Sequence, residues 1–218
     1  MLKFQTMEKM NPKETLNLNQ PYLVGVSGPS GAGKDYLINA SGQQFTDMGA
    51  NVAVVQMTTE RPDRGPGVET KICISSDEYT QLENSNQLIG SHQNGDYRYG
   101  YKTQDLVAGL ETCKNGGIVF IELNPFAQPN FPQEIKQKLG VDMLAWIGVQ
   151  NTIEQTETSM RERGESEDSI KERIAKVKKY YDAMNENPFI SYVDNGPTNR
   201  TGSTKDFTNI ILDKIQNS

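Results

Sequence analysis

The chain has 218 residues, with 28 acidic against 22 Lys and Arg for a net charge of −6, and a pI near 5.0. That balance argues against a nonspecific nucleic-acid surface, which needs clustered Lys and Arg, so any phosphorylated partner must be small and met by local bases. The length suits one domain with a sizeable core, and no stretch approaches the ~20 apolar residues of a membrane helix.

Residues 1–20 lack the apolar run of a signal peptide and carry Asn11-Pro12 among scattered Lys, Glu and Asn. They read as a flexible extension or a short helix before the fold begins near Tyr22, and the protein is expected to be cytoplasmic, without membrane or nucleic-acid partners, as a monomer or homodimer. Cys73 and Cys113 are far apart, have no metal-ligand spacing, and are expected as reduced core thiols.

Tyr22 to Ser27 is an apolar run of buried-strand type, and Asp35 to Met48 places Tyr36, Leu37, Ala40, Gln44 and Met48 near helical spacing before Gly49. Between them lies Gly28-Pro29-Ser30-Gly31-Ala32-Gly33-Lys34-Asp35. Gly28, Gly33 and Lys34 fit the pattern Gly-x-x-x-x-Gly-Lys-Ser/Thr of a P-loop, whose glycines let backbone N–H groups close around a polyphosphate while the lysine reaches the β- and γ-phosphates. Asp35 stands where the Mg²⁺-ligating hydroxyl is expected. The strand, loop and helix context predicts a nucleotide-phosphate site built from Gly28, Ser30, Gly31, Ala32, Gly33, Lys34 and Asp35.

Asn51 to Met57 reads as a second buried strand, and 58–67 as a charged loop rich in Pro and Gly. Short strand-like pieces, Lys71 to Ile74 and Leu88 to His92, surround a polar helix from Asp77 to Asn84, suggesting a small mixed insertion. Thr103 to Cys113 is a helix ended by Asn115-Gly116-Gly117, and Ile118 to Leu123 is an apolar strand broken by Glu122. Pro132 to Leu139 is helical, and Met143 to Val149 is a strand that puts Trp146 in the core. Helices follow from Thr152 to Arg163 and from Glu167 to Met184, with Tyr180-Tyr181 packing the second. Ile190 to Val193 closes the sheet and Thr204 to Gln216 is a last helix. Strands alternating with helices imply a parallel sheet covered on both faces.

The P-loop, the Thr58-Thr59 plus arginine loop, the segment Asn94-Gly95-Asp96-Tyr97-Arg98-Tyr99-Gly100, and Arg161-Glu162-Arg163-Gly164 with Ser169-Ile170-Lys171-Glu172-Arg173 together resemble the guanylate kinase family over roughly residues 22–195. The resemblance implies an α/β P-loop NTPase three-layer sandwich over 21–218, with an acceptor-binding insertion at about 58–102 and a helical lid at about 152–175. It implies phosphoryl transfer from ATP, assisted by Mg²⁺, to the phosphate of a small acceptor, a nucleoside monophosphate such as GMP or, alternatively, a sugar phosphate. Lys34 with arginines closing from a lid is a sufficient catalytic set, because this transfer needs positioning and charge neutralisation rather than covalent chemistry. Arg163 and Arg173 would clamp the transferring group with Arg161 as a third. Alternatively these arginines are solvated helix faces tied by i,i+4 pairs.

Four departures from the family pattern bear on the acceptor. The phosphate-holding loop reads Thr58-Thr59-Glu60-Arg61-Pro62-Asp63-Arg64, with Arg61 and Arg64 in shifted register, and Lys71 stands where the family has a tyrosine. Gly90 stands where the family reads guanine with a glutamate, and offers no acceptor for guanine N1–H. Glu122-Leu123-Asn124 replaces an Asp-x-Asp, so Glu122 either holds Mg²⁺ through water, reads the acceptor, or pairs with a neighbouring Lys or Arg. Asp35 can serve the metal as a hard oxygen ligand. The Gly-Lys-Asp ending and His92-Gln93-Asn94-Gly95 resemble the sugar-phosphate relative of this family, ribose 1,5-bisphosphate phosphokinase. His92, the only histidine, reads as structural or as a hydrogen-bonder in the pocket rather than a general base. Thr58, Arg61, Arg64, Lys71, His92, Tyr99 and Glu122 are thus the expected acceptor set. A noncatalytic module of the same fold, holding phosphopeptides, is the competing reading; a GTP-hydrolysing switch lacks its Asn-Lys-x-Asp here.

Overall fold

The computed structural model describes residues 19–63, 65, 71–162, 164–196 and 200–218. Its elements, in chain order, begin with β1 (Pro21–Ser27), α1 (Lys34–Asp47), β2 (Asn51–Val55), β3 (Thr58–Thr59) and β4 (Ile72–Cys73). Next come α2 (Ser76–Asn84), β5 (Leu88–Asn94), β6 (Tyr97–Lys102), α3 (Thr103–Thr112) and β7 (Gly117–Glu122). The chain ends with α4 (Phe131–Leu139), β8 (Met143–Gln150), α5 (Ile153–Glu162), α6 (Glu167–Glu186), β9 (Ile190–Asp194) and α7 (Arg200–Gln216).

Five strands form a core sheet in the order β2-β7-β1-β8-β9, every pair parallel. A parallel sheet needs cover on both faces, and the two-residue period of β1 supplies apolar side chains to each. Val24 and Val26 enter a core with Leu37 and Phe45 of α1 and Phe207 and Ile211 of α7. Leu23 enters the opposite core with Leu106 of α3, Phe131 of α4 and Met184 of α6. The result is a three-layer α/β fold with β1 central. The chain leaves β1 toward β2 and later returns past it from β7 to β8, so the strand order reverses at β1, where α/β folds bind ligands beyond the carboxyl ends of their strands.

A second sheet, β4-β3-β6-β5, lies within Thr58–Lys102. Its strands β3 and β6 differ from the sequence reading, which has a loop at Thr58 and no strand over Tyr97–Lys102. Thr58 pairs with Gly100 and Thr59 with Tyr99 in an antiparallel ladder, a long-range pairing that local turn chemistry does not announce. The face of α1 also differs: Leu37, Ile38, Ser41, Gly42 and Phe45 are buried, while Tyr36 is exposed. Helix α7 starts at Arg200, before the expected Thr204. Cys113 is buried and Cys73 only half-buried, so just one of the two free thiols is a core residue. The extension at residues 1–20 lies outside the described residues except for Asn19 and Gln20, both exposed. No helix among the described residues is long and apolar enough to cross a membrane.

Candidate functional site

The P-loop joins the carboxyl end of β1 to the amino end of α1, which aims the helix dipole and its unpaired N–H groups at the loop. Gly31 and Gly33 adopt φ of 85° and 90°, the left-handed region that favours glycine. Lys34 folds back over the loop, its Nζ donating to the carbonyls of Gly28 at 3.0 Å and Pro29 at 3.4 Å. Carbonyls are weak partners for an ammonium, so an anion in the loop would compete for it readily. Beneath the loop, Trp146 Nε1 donates to Ser27 Oγ at 2.6 Å, Ser27 Oγ donates to the Leu123 carbonyl at 2.8 Å, and Tyr180 donates to the same carbonyl at 3.1 Å. This buried chain ties β1, β8 and α6 to the residue that follows β7 beneath the loop, and satisfied buried networks of this kind hold one geometry.

Asp35 and Glu122 meet beside the loop at the mouth of a cavity of ≈ 290 Å³, also lined by Asn39, Gln56, Met57 and Lys71. Lys71 Nζ lies 3.1 Å from Glu122 Oε2, so the ion-paired alternative read for Glu122 is realised in this conformation. Loss of water around its carboxyl, then the adjacent charge of Glu122, raises the pKa of Asp35, although the residue keeps an exposed side. Burial also pushes Glu122 up, but Lys34 and then Lys71 outweigh it and hold its carboxyl below the usual range. Glu122 is therefore the fixed negative charge of the pair. Two carboxylates and a neutral amide offer the hard oxygen donors that Mg²⁺ prefers, and these residues fit such an ion with water completing its shell. Among the described residues no group of three or more His, Cys, Asp or Glu side chains gathers as a metal cage.

On the lid side, Arg173 Nη1 donates to Ser30 Oγ at 2.9 Å and to Glu165 Oε1 at 3.2 Å. Arg161 is different. It is bound on an exposed face by Glu157, its i,i+4 partner, at 2.6 Å and by Glu167 of α6 at 2.9 Å, as the solvated-face alternative expects. Arg163 and Arg64 lie outside the described residues.

The remaining acceptor candidates gather on the second sheet. Arg61 lies over the Tyr99 ring, 6.0 Å from its centroid, and His92 stacks on Tyr99 at 5.7 Å. Burial lowers the pKa of His92, keeping it neutral, and its Nδ1 engages the Gly90 carbonyl at 2.9 Å. Thr58 is fully buried in β3, its hydroxyl without a hydrogen-bond partner. Glu60, which displaces the arginines from the family register, has a structural role. Both its oxygens take the Arg98 guanidinium, at 2.9 and 2.7 Å, and that guanidinium sits 4.7 Å over Tyr79.

Gly90 explains itself once the fold is known. With φ of 65°, a Cβ there would meet Gln128 Nε2 at 2.5 Å and Phe131 at 2.7 Å. Its carbonyl takes the Gln128 amide at 2.9 Å, and its N–H donates to Glu134 at 3.1 Å. The space beside this backbone is occupied by the segment leading into α4. Sequence reading missed Gln128, and it missed Asn195, whose Nδ2 donates to the Ala32 carbonyl of the P-loop at 2.8 Å. The available signal for Asn195 was its place just past the carboxyl end of β9 in a parallel sheet.

A Gly-rich strand-to-helix loop at the centre of a five-stranded parallel sheet defines a P-loop NTPase-like fold. Among solved structures, the guanylate kinase of Anaplasma phagocytophilum shares the fold, with a TM-score of 0.58 over 91% of this chain and 88% of that one, at 11% identity. No family profile and no curated protein sequence matches the chain.

Proposed function

We propose that the protein transfers the γ-phosphoryl group of ATP, with Mg²⁺, to the phosphate of a small acceptor. The observation that carries this reading is the convergence of Lys34, the Asp35–Glu122 pair and Arg173 on one P-loop. Lys34 and Arg173 supply positive charge for the oxygens of the transferring group, and Asp35 and Glu122 hold water or Mg²⁺ beside it. Bound Mg²⁺ would neutralise charge on the donor phosphates. Arg61 and Lys71 hold the acceptor phosphate, and Tyr99 and His92 form the wall behind them. Residues 58–102 then serve as the acceptor-binding part and 152–175 as the lid.

Of the two acceptor classes, a phosphorylated sugar fits these residues better than a nucleoside monophosphate such as GMP. Gly90 has no side chain to read a base, and Gln128 and Phe131 fill the space beside it. The polar part of the cavity lining, Asn39, Gln56 and Glu122, suits hydroxyl groups beside an aliphatic part, Ile38, Val54, Val55 and Met57, and no aromatic ring lines it among the described residues. The intact Gly28, Gly33 and Lys34 disfavour the noncatalytic module. Calorimetric titration with MgATP tests the reading: the wild type binds and Lys34→Ala binds at least tenfold more weakly, whereas equal affinity would remove the P-loop from the account.

A further inference from the structure

We infer that Asn195 is a positioning residue for the phosphate-binding loop, setting the direction of a loop N–H group without touching the nucleotide. The inference rests on the phosphoryl-transfer reading. Asn195 is 5% exposed, in the turn after β9. Both ends of its amide are engaged: Nδ2 donates to the Ala32 carbonyl at 2.8 Å, and Oδ1 accepts from Ser203 Oγ of α7 at 2.7 Å. The Ala32 carbonyl can only accept, so the amide nitrogen must face it and the hydroxyl of Ser203 fixes the other end. The backbone beneath is held too, through the Asn195 N–H on the Gln150 carbonyl at 2.8 Å.

A peptide bond is planar and trans, so the carbonyl of Ala32 and the N–H of Gly33 point in opposite directions from one plane. Holding that carbonyl toward Asn195 turns the Gly33 N–H to the other side, toward the hollow of the loop, where a polyphosphate oxygen would take it. Gly33 is fitted to the same contact. A Cβ on it would lie 2.1 Å from Asn195 Nδ2, so this glycine is required by the neighbouring amide as well as by its φ of 90°. Helix α7 is thereby linked to the loop through Ser203, and to α1 through Thr208, which contacts Gln44 and Ser41 at 2.6 and 2.9 Å.

The test uses calorimetry with inorganic tripolyphosphate and with MgADP, neither of which needs an acceptor or turnover, on the full chain and on Asn195→Asp and Ser203→Ala. Asn195→Asp keeps the shape but sets a carboxylate against the Ala32 carbonyl. It is expected to weaken both ligands about tenfold, and Ser203→Ala about threefold, the scale of one lost hydrogen bond or its orienting partner. Both variants should still melt cooperatively. A merely structural Asn195 would lower the melting temperature and leave both dissociation constants within twofold at 20 °C; that result overturns the inference and leaves the P-loop reading standing. If Asn195→Asp fails to fold, Ser203→Ala decides by the same criterion. A wild type that binds neither ligand overturns the phosphoryl-transfer reading, and this inference with it.

Discussion

Arg173 of α6 donates to Ser30 of the P-loop across 2.9 Å, so one guanidinium bridges α6 and the loop between β1 and α1. Replacement of Arg173 by Ala should lower kcat by about 10³-fold, the lower end of the range for arginines that neutralise a transferring phosphoryl group, and change the KM of ATP far less. Steady-state kinetics with both substrates varied separate the two. A variant that raises KM while sparing kcat would make Arg173 a ground-state contact.

Arg161 supplies the contrast. Its exposed pairs with Glu157 and Glu167 give no reason for a catalytic effect. Arg161→Ala should keep kcat within threefold of wild type, since its pairs are solvent-screened and do not reach the loop. A loss comparable to that of Arg173→Ala would show that α5 moves onto the donor phosphates during turnover.

Arg61 and Lys71 should govern the acceptor. Arg61→Ala is expected to raise the acceptor KM about tenfold, one charge-assisted contact, with the KM of ATP unchanged. An unchanged acceptor KM in both Arg61→Ala and Lys71→Ala would place the acceptor phosphate elsewhere.

The core was legible because β1, β7 and β8 are apolar runs separated by helix-period segments, and the P-loop is a local pattern whose spacing carries its chemistry. The second sheet was less legible. Strand β6 is recognisable only through its pairing with Thr59 and His92, and Glu60 looked like a register error in an arginine loop until Arg98 was found against it. Asn195, Gln128 and the Ser27–Trp146 bond act across more than 30 residues of sequence, where no spacing rule reaches. For the arginines of the lid, charge alone could not distinguish a residue on Ser30 from one on Glu157.

The Glu60–Arg98 pair has a pH signature. The hydrogen bond from Arg98, more than its burial opposes, holds Glu60 at about 2, against an ordinary 4.5. A depressed folded-state pKa stabilises the fold above the unfolded value and loses that contribution as pH falls, here between 4.5 and about 2. Glu60→Gln should cost about 1.5–3 kcal/mol at pH 7, and the gap to wild type should narrow below pH 4.5. Urea midpoints across that range measure it; a gap constant with pH would mean that the pair contributes packing alone.

Gly90→Ala should lower stability by about 2–4 kcal/mol, from left-handed backbone strain and the clash with Gln128 and Phe131. Gly90→Glu, which restores a carboxylate at that position, should be destabilised further and gain no GMP-dependent turnover. Thermal melts with GMP and GDP-release assays check both parts.

The most direct test of phosphoryl transfer is acceptor-dependent ADP release from MgATP, with pentose phosphates including ribose 1,5-bisphosphate, GMP and the other nucleoside monophosphates as acceptors and Lys34→Ala as the control. ADP release by the wild type that requires a phosphorylated sugar and disappears in Lys34→Ala is the predicted result. Release that Lys34→Ala retains in full, or that no acceptor stimulates while MgATP fails to bind, would contradict the account.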